Sequence, residues 1–98
     1  MRYRRLGRTE LHVSELSYGA AWGASQDRAK FIATVHAAIE GGVNFVDTAS
    51  DYPDSESALG EALQGHNHVI IETKYQPYDG WDGEASYTGS AEALISSA

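Results

Sequence analysis

The chain has 98 residues, 42% of them hydrophobic and 21% charged, with 7 Lys+Arg against 14 Asp+Glu for a net charge of −7. This composition fits one ordinary globular domain at most and excludes collagen-like, low-complexity and broadly disordered chains. With no cysteine at all, disulfide staples, a thiolate nucleophile and Cys-ligated zinc or iron–sulfur sites are excluded as well.

At the N-terminus, Arg2, Arg4, Arg5 and Arg8 are four of the seven cations. The other three, Arg28, Lys30 and Lys74, are outnumbered by the fourteen acids that follow Arg8, so no nucleic-acid partner is expected. Tyr3, Leu6, Leu11 and Val13 flank Gly7-Arg8-Thr9-Glu10, a pattern that predicts a hairpin over residues 1–14 in preference to a basic targeting arm. No apolar run approaches the roughly 18–20 residues of a membrane helix, and no apolar signal region follows the basic start. The expectation is a cytoplasmic protein with no membrane partner.

Leu16-Ser17-Tyr18-Gly19 reads as a first strand, ending in the small residues Gly19-Ala20-Ala21. Asp27 precedes Phe31, Ile32, Val35 and Ile39 at helical spacing, and Gly41-Gly42 supplies the stop. Val43 to Val46 forms a second strand, followed by the polar loop Asp47-Thr48-Ala49-Ser50-Asp51-Tyr52-Pro53-Asp54. Ser55 is the expected cap of a second helix with Leu59, Ala62 and Leu63 on one face and Gly65 at its end. Val69 to Lys74 is a third strand, and a long loop with Pro77, Gly80, Trp81 and Gly83 leads to Ser90 and a helix beginning at 91–95.

Strand onsets near residues 16, 43 and 68 give a βα period of about 26 residues, which implies parallel strands joined by helical crossovers. A (β/α)8 barrel takes about 250 residues, so residues 1–98 are expected to form the N-terminal portion of a truncated barrel: a hairpin plus about three βα units. The alternative, a complete open-sheet domain, leaves too few apolar residues to cover both sheet faces.

In such a barrel the working groups follow the strands, at their C-terminal ends. Asp47, Tyr52 and Lys74 fall on that rim, whereas His66 and His68 precede a strand and fall on the opposite one. The His-x-His spacing suits a metal, but no carboxylate partner is evident and a solvated turn explains it better. His12 and His36 are isolated, with surface or packing roles. Asp47, Asp51, Asp54 and Glu56 lack the ligand spacing of a calcium loop and the fixed separation that glycoside hydrolysis requires. Asp51, Asp54 and Glu56 therefore read as loop and first-turn acids, and no metal site is expected.

The Asp47/Tyr52/Lys74 set carries a sharper possibility. A phenol with an unperturbed pKa of about 10 needs a neighbouring cation to exchange protons near neutrality. Lys74 supplies the cation and Asp47 orients it, a chain suited to protonating a carbonyl oxygen as hydride arrives. A structural ion pair between Asp47 and Lys74 is the simpler alternative. Trp22, Tyr78 and Trp81 are candidates to line a substrate pocket, although ordinary packing explains them equally well.

Several segments, in order, resemble the aldo-keto reductase family: Met1-Arg2-Tyr3-Arg4-Arg5-Leu6-Gly7-Arg8-Thr9, Leu11 to Leu16, Tyr18-Gly19-Ala20-Ala21, Asn44-Phe45-Val46-Asp47-Thr48-Ala49 with Tyr52, Ser55-Glu56 leading to Leu59-Gly60-Glu61-Ala62-Leu63, and the strand ending Glu72-Thr73-Lys74. The resemblance implies a (β/α)8 barrel closed at its bottom by the hairpin, using NADPH/NADP to interconvert small-molecule carbonyl compounds and alcohols. It implies that Asp47, Tyr52 and Lys74 are three members of a catalytic tetrad, with Tyr52 the acid. Gly19, Ala20, Ala21 and Asp47 match positions beside the nicotinamide.

The family's fourth catalytic residue, a histidine after the next strand, and its late cofactor loops have no counterpart, so the fragment alone is expected to be inactive. A non-catalytic, nucleotide-binding regulatory member is the alternative, with a metal-dependent barrel hydrolase further off. Three departures stand out. Pro53 replaces a usual glycine and stiffens the Tyr52 loop. Glu10 replaces a turn glycine, with strain if positive φ is required there. Glu72 shares the face of Lys74 by strand alternation and either competes with Asp47 for the ammonium or lies solvated on a polar rim.

Overall fold

The computed structural model describes residues 1–21 and 23–75, together with the backbone of two further short strands, Tyr78–Asp79 and Ser86–Tyr87. At the N-terminus β1 (Tyr3–Arg5) pairs antiparallel with β2 (His12–Ser14), Tyr3 opposite Ser14. The chain reverses through Leu6 and Leu11, whose backbone N–H and C=O meet at 2.8 Å, with Gly7 at φ 56°. Among the described residues only Ala21 and Asp54 are non-glycine with positive φ, so Glu10 carries none of the strain its replacement of glycine raised.

The hairpin is bolted to the segment ahead of the central strand. Asn44 Oδ1 accepts from Ser14 N–H at 2.7 Å, Asn44 N–H donates to Ser14 Oγ at 3.1 Å, and Asn44 Nδ2 donates to the His12 carbonyl at 2.9 Å. Tyr3 donates its hydroxyl to the Gly42 carbonyl at 2.6 Å. Gly42 has φ 102°, and a Cβ there would meet Met1 Cβ at 3.0 Å and Tyr3 Oη at 3.1 Å. Only glycine fits that turn.

Next come β3 (Tyr18–Gly19), α1 (Gly23–Gln26), α2 (Arg28–Glu40), β4 (Phe45–Asp47), α3 (Ser55–Ala62) and β5 (Ile70–Glu72), and the two outlying strands become β6 (Tyr78–Asp79) and β7 (Ser86–Tyr87). Strands β3, β4 and β5 form a parallel sheet in that order, with Gly19 opposite Asp47 and Asp47 opposite Glu72. Their onsets at 18, 45 and 70 keep the expected spacing, each two residues late. The one-turn helix α1 was not expected. The stretch expected as a loop contains the antiparallel pair β6 and β7. Trp22, Pro77, Gly80, Trp81, Gly83, Ser90 and the helix expected at 91–95 lie outside the described residues, as does the Tyr78 side chain.

Helix α2 starts where Asp27 Oδ1 accepts the Lys30 N–H at 3.0 Å and ends as Gly41 N–H returns to the Ala37 carbonyl at 3.0 Å. Helix α3 begins one residue earlier than expected: the cap is Asp54, in the left-handed region at φ 59° with no side-chain capping bond. Ser55 is unavailable for capping because its hydroxyl lies 2.7 Å from that of Thr48, both buried.

Phe31, Val35, Val46, Leu59 and Ala62 form the centre of the core between the helices and one sheet face, with the Tyr18 and Phe31 rings 5.9 Å apart. Since Val46 takes that face, alternation sends Phe45 and Asp47 to the other, and the register sends Ile70 and Glu72 with them. The side chains that matter chemically therefore stand on the face turned away from the helices.

Candidate active site

The site is built from the ends of β4 and β5. The backbone fixes it first: Ala20 N–H donates to the Asp47 carbonyl at 2.9 Å, Thr48 N–H to the Glu72 carbonyl at 2.8 Å, and Ser50 N–H to the Lys74 carbonyl at 2.8 Å. Asp47, Glu72 and Lys74 are thus each held by the neighbouring strand or its extension.

On this frame Lys74 Nζ donates to Asp47 Oδ1 at 2.6 Å and to the Thr48 carbonyl at 2.8 Å. The same ammonium stands 5.5 Å from the centroid of the Tyr52 ring, within range of a cation–π contact. Asp47, Tyr52 and Lys74 are therefore neighbours, as the sequence suggested. Tyr52 is held there by a tight turn, its N–H donating to the Ala49 carbonyl at 3.2 Å and its carbonyl accepting from Ser55 N–H at 3.1 Å. Pro53 leaves that approach intact.

The charges adjust accordingly. The hydrogen bond from Lys74 holds the Asp47 carboxyl below the usual carboxylate value, and the same bond raises the Lys74 ammonium above its own. Glu72 does not take the lysine from Asp47. It stands opposite Asp47 in the β4–β5 register, and that neighbouring carboxyl pushes the Glu72 acid upward.

Gly19 lies level with Asp47 on the same face, and a Cβ there would meet nothing within 4 Å. Ala20 is buried and Ala21 turns the chain at φ 38°. Of these three residues Gly19 leaves open space on the Asp47 face, while Ala20 packs into the core.

Two supports escaped the sequence reading. Thr48 contributes its main-chain carbonyl to Lys74, a role without a side-chain signature, and Thr73 donates to Glu56 Oε2 at 2.7 Å, tying β5's extension to the first turn of α3. The histidines fall elsewhere. His36, expected to be isolated, places Nε2 2.8 Å from the Ala62 carbonyl and its ring 5.7 Å from that of His66, which in turn lies 6.2 Å from that of His68. Helix α2 packs on α3 and brings these rings together, a proximity invisible to local spacing. Among the described residues no group of three or more His, Asp or Glu side chains is arranged to hold a metal ion, and no helix is long and apolar enough to cross a membrane.

Comparison with known proteins agrees with this geometry. The profile of the Aldo/keto reductase family matches residues 15–98. Over its full length the chain is 33% identical to the uncharacterized oxidoreductase YqkF of Bacillus subtilis, covering 33% of that protein. Over 76% of its length it is 37% identical to a rice protein described as a probable voltage-gated potassium channel subunit beta, covering 25% of it. The structure of aldo-keto reductase AKR11C1 from Bacillus halodurans in its holo form superimposes with a TM-score of 0.77 at 30% identity, over 98% of this chain and 33% of that one. The chain thus spans a third or less of these relatives. Residues 1–98 carry the N-terminal part of a (β/α)8 barrel; the chain belongs to the aldo/keto reductase family.

Proposed function

We propose that the barrel to which these residues belong is an NADPH-dependent oxidoreductase that reduces an aldehyde or ketone, with Tyr52 as general acid. The observation that carries this reading is the Lys74 ammonium, 2.6 Å from Asp47 and 5.5 Å from the Tyr52 ring centroid. Lys74 stabilises the phenolate left when Tyr52 gives its proton to the carbonyl oxygen. Asp47 and the Thr48 carbonyl fix the ammonium so that it need not reorganise as that charge develops. NADPH, when bound, supplies the hydride that the carbonyl carbon accepts. The open space at Gly19 beside Asp47 suits a flat nicotinamide edge, and Gly19, Ala20 and Ala21 with Asp47 are assigned to hold it. The cysteine-free composition suits a cytoplasmic setting.

Residues 1–98 by themselves present this site on three parallel strands of the barrel, and they are expected to turn over no substrate. In a polypeptide carrying the complete barrel, NADPH oxidation with a simple aldehyde should fall about 10²- to 10⁴-fold on Tyr52→Phe. An unchanged rate removes Tyr52 from the mechanism. A regulatory, nucleotide-binding role is the second reading, favoured by the 37% identity to the rice channel subunit. NADPH binding without turnover of any aldehyde or ketone would select it.

A further inference from the structure

The feature that the Asp47–Lys74–Tyr52 scheme leaves unused is Glu72. It stands directly opposite Asp47 in the β4–β5 register, and by alternation it shares the face of Lys74 two residues on. A second carboxyl has thus been placed against an ion pair that already has its acid. The geometry points to Glu72 as a positioning residue that shares a proton with Asp47 and so sets how much of the Lys74 charge is left to act on Tyr52.

Two carboxyls that face each other from opposed positions on adjacent strands cannot both ionise freely, and one of them tends to keep its proton. Here Lys74 bonds directly to Asp47, so Asp47 is the stronger acid and Glu72 the proton holder. The direction of both titrations agrees: contact with Asp47 raises Glu72, while Asp47 is lowered, chiefly by Lys74. Protonated Glu72 donates its O–H to Asp47 and leaves the cluster of two carboxyls and one ammonium neutral. When that proton leaves to solvent, the cluster carries one net negative charge.

Among the described residues, the ionisable groups facing Glu72 are few. Asp47 lies across on β4, Lys74 lies along its own chain, and Tyr52 stands beyond the ammonium. Gly19, level with Asp47 on β3, adds no charge, and Glu56 of α3 is engaged with Thr73. Given Tyr52 as the proton donor, as proposed above, ionised Glu72 offsets part of the lysine field that would stabilise the Tyr52 phenolate.

The test uses a polypeptide carrying the complete barrel. Glu72→Gln keeps the length and hydrogen-bonding capacity of the side chain and removes its charge. The alkaline limb of kcat/KM for NADPH-dependent aldehyde reduction should move to lower pH by about half a unit or more, and Glu72→Asp should restore part of the displacement. Independently of turnover, the ¹³C carboxyl titration of Glu72 should shift to a lower midpoint in Asp47→Asn, because the partner that raises it is gone.

A Glu72 midpoint indifferent to Asp47→Asn overturns the proton sharing, and superimposable pH–rate profiles for Glu72→Gln and the parent overturn its action on Tyr52. Turnover that survives Tyr52→Phe sinks the reductase scheme instead. The carboxyl titration then decides the Glu72–Asp47 pairing alone.

Discussion

Asp47 and Lys74 shift each other in opposite directions, and the consequence for stability has a definite sign. The lowered Asp47 value gives a contribution present above the ordinary carboxylate range and lost as pH falls through the folded value. The raised Lys74 value gives one that is complete below the unfolded lysine pKa of about 10.4 and lost as pH rises through the folded value. Asp47→Asn should therefore destabilise most between about pH 5 and pH 10 and converge on the parent at both extremes, as read by urea unfolding across pH.

A second pair of neighbours at the same scale is uncharged. Thr48 and Ser55 share a hydroxyl–hydroxyl bond at 2.7 Å, Thr48 being 1% exposed and Ser55 fully buried. Ser55→Ala strands the Thr48 hydroxyl and should cost about 1–3 kcal/mol. The double variant Thr48→Val/Ser55→Ala should lose less than the two single changes combined, a coupling that a double-mutant denaturation cycle measures. That pair also explains why the start of α3 was misplaced from sequence. Ser55 has the side chain of a good cap, but a partner seven residues back, buried with it, claims the hydroxyl.

Among the elements, α2 was legible almost to the residue. Its apolar spacing, the Asp27 cap and the Gly41-Gly42 stop are all local signals. Asp27→Ala should lower stability by about 0.5–2 kcal/mol in equilibrium denaturation, since its carboxylate caps the Lys30 amide. Strands β3, β4 and β5 were legible in number and spacing, although each is shorter than its apolar run. Hydrogen bonding confines the ladder to the stretch where both neighbours reach, and a sequence run does not encode that limit. Asp47, Tyr52 and Lys74 could be singled out because the end of a parallel strand is a chemically marked place. The Thr48 carbonyl and the His36–His66 approach could not, since one is main chain and the other depends on how α2 settles on α3.

Taken as a whole, the described residues leave two strand edges of the parallel sheet, those of β3 and β5, at the ends of its order. Ile71 turns to the helix side with Val46 yet remains 51% exposed, and Leu16 just ahead of β3 is 67% exposed. Produced on their own, residues 1–98 should self-associate through these edges, with a sedimentation coefficient that climbs with protein concentration. Ile71→Lys should reduce that climb by placing a charge on the sticky edge.

The register of β4 against β5 matters in a further way. A slip of a single residue would swing Glu72 and Lys74 behind the sheet and leave Asp47 looking across at a threonine. Correct threading of the strands and assembly of the chemistry are accordingly one event, so the lysine's titration serves as a built-in gauge of whether newly made chains have folded in frame.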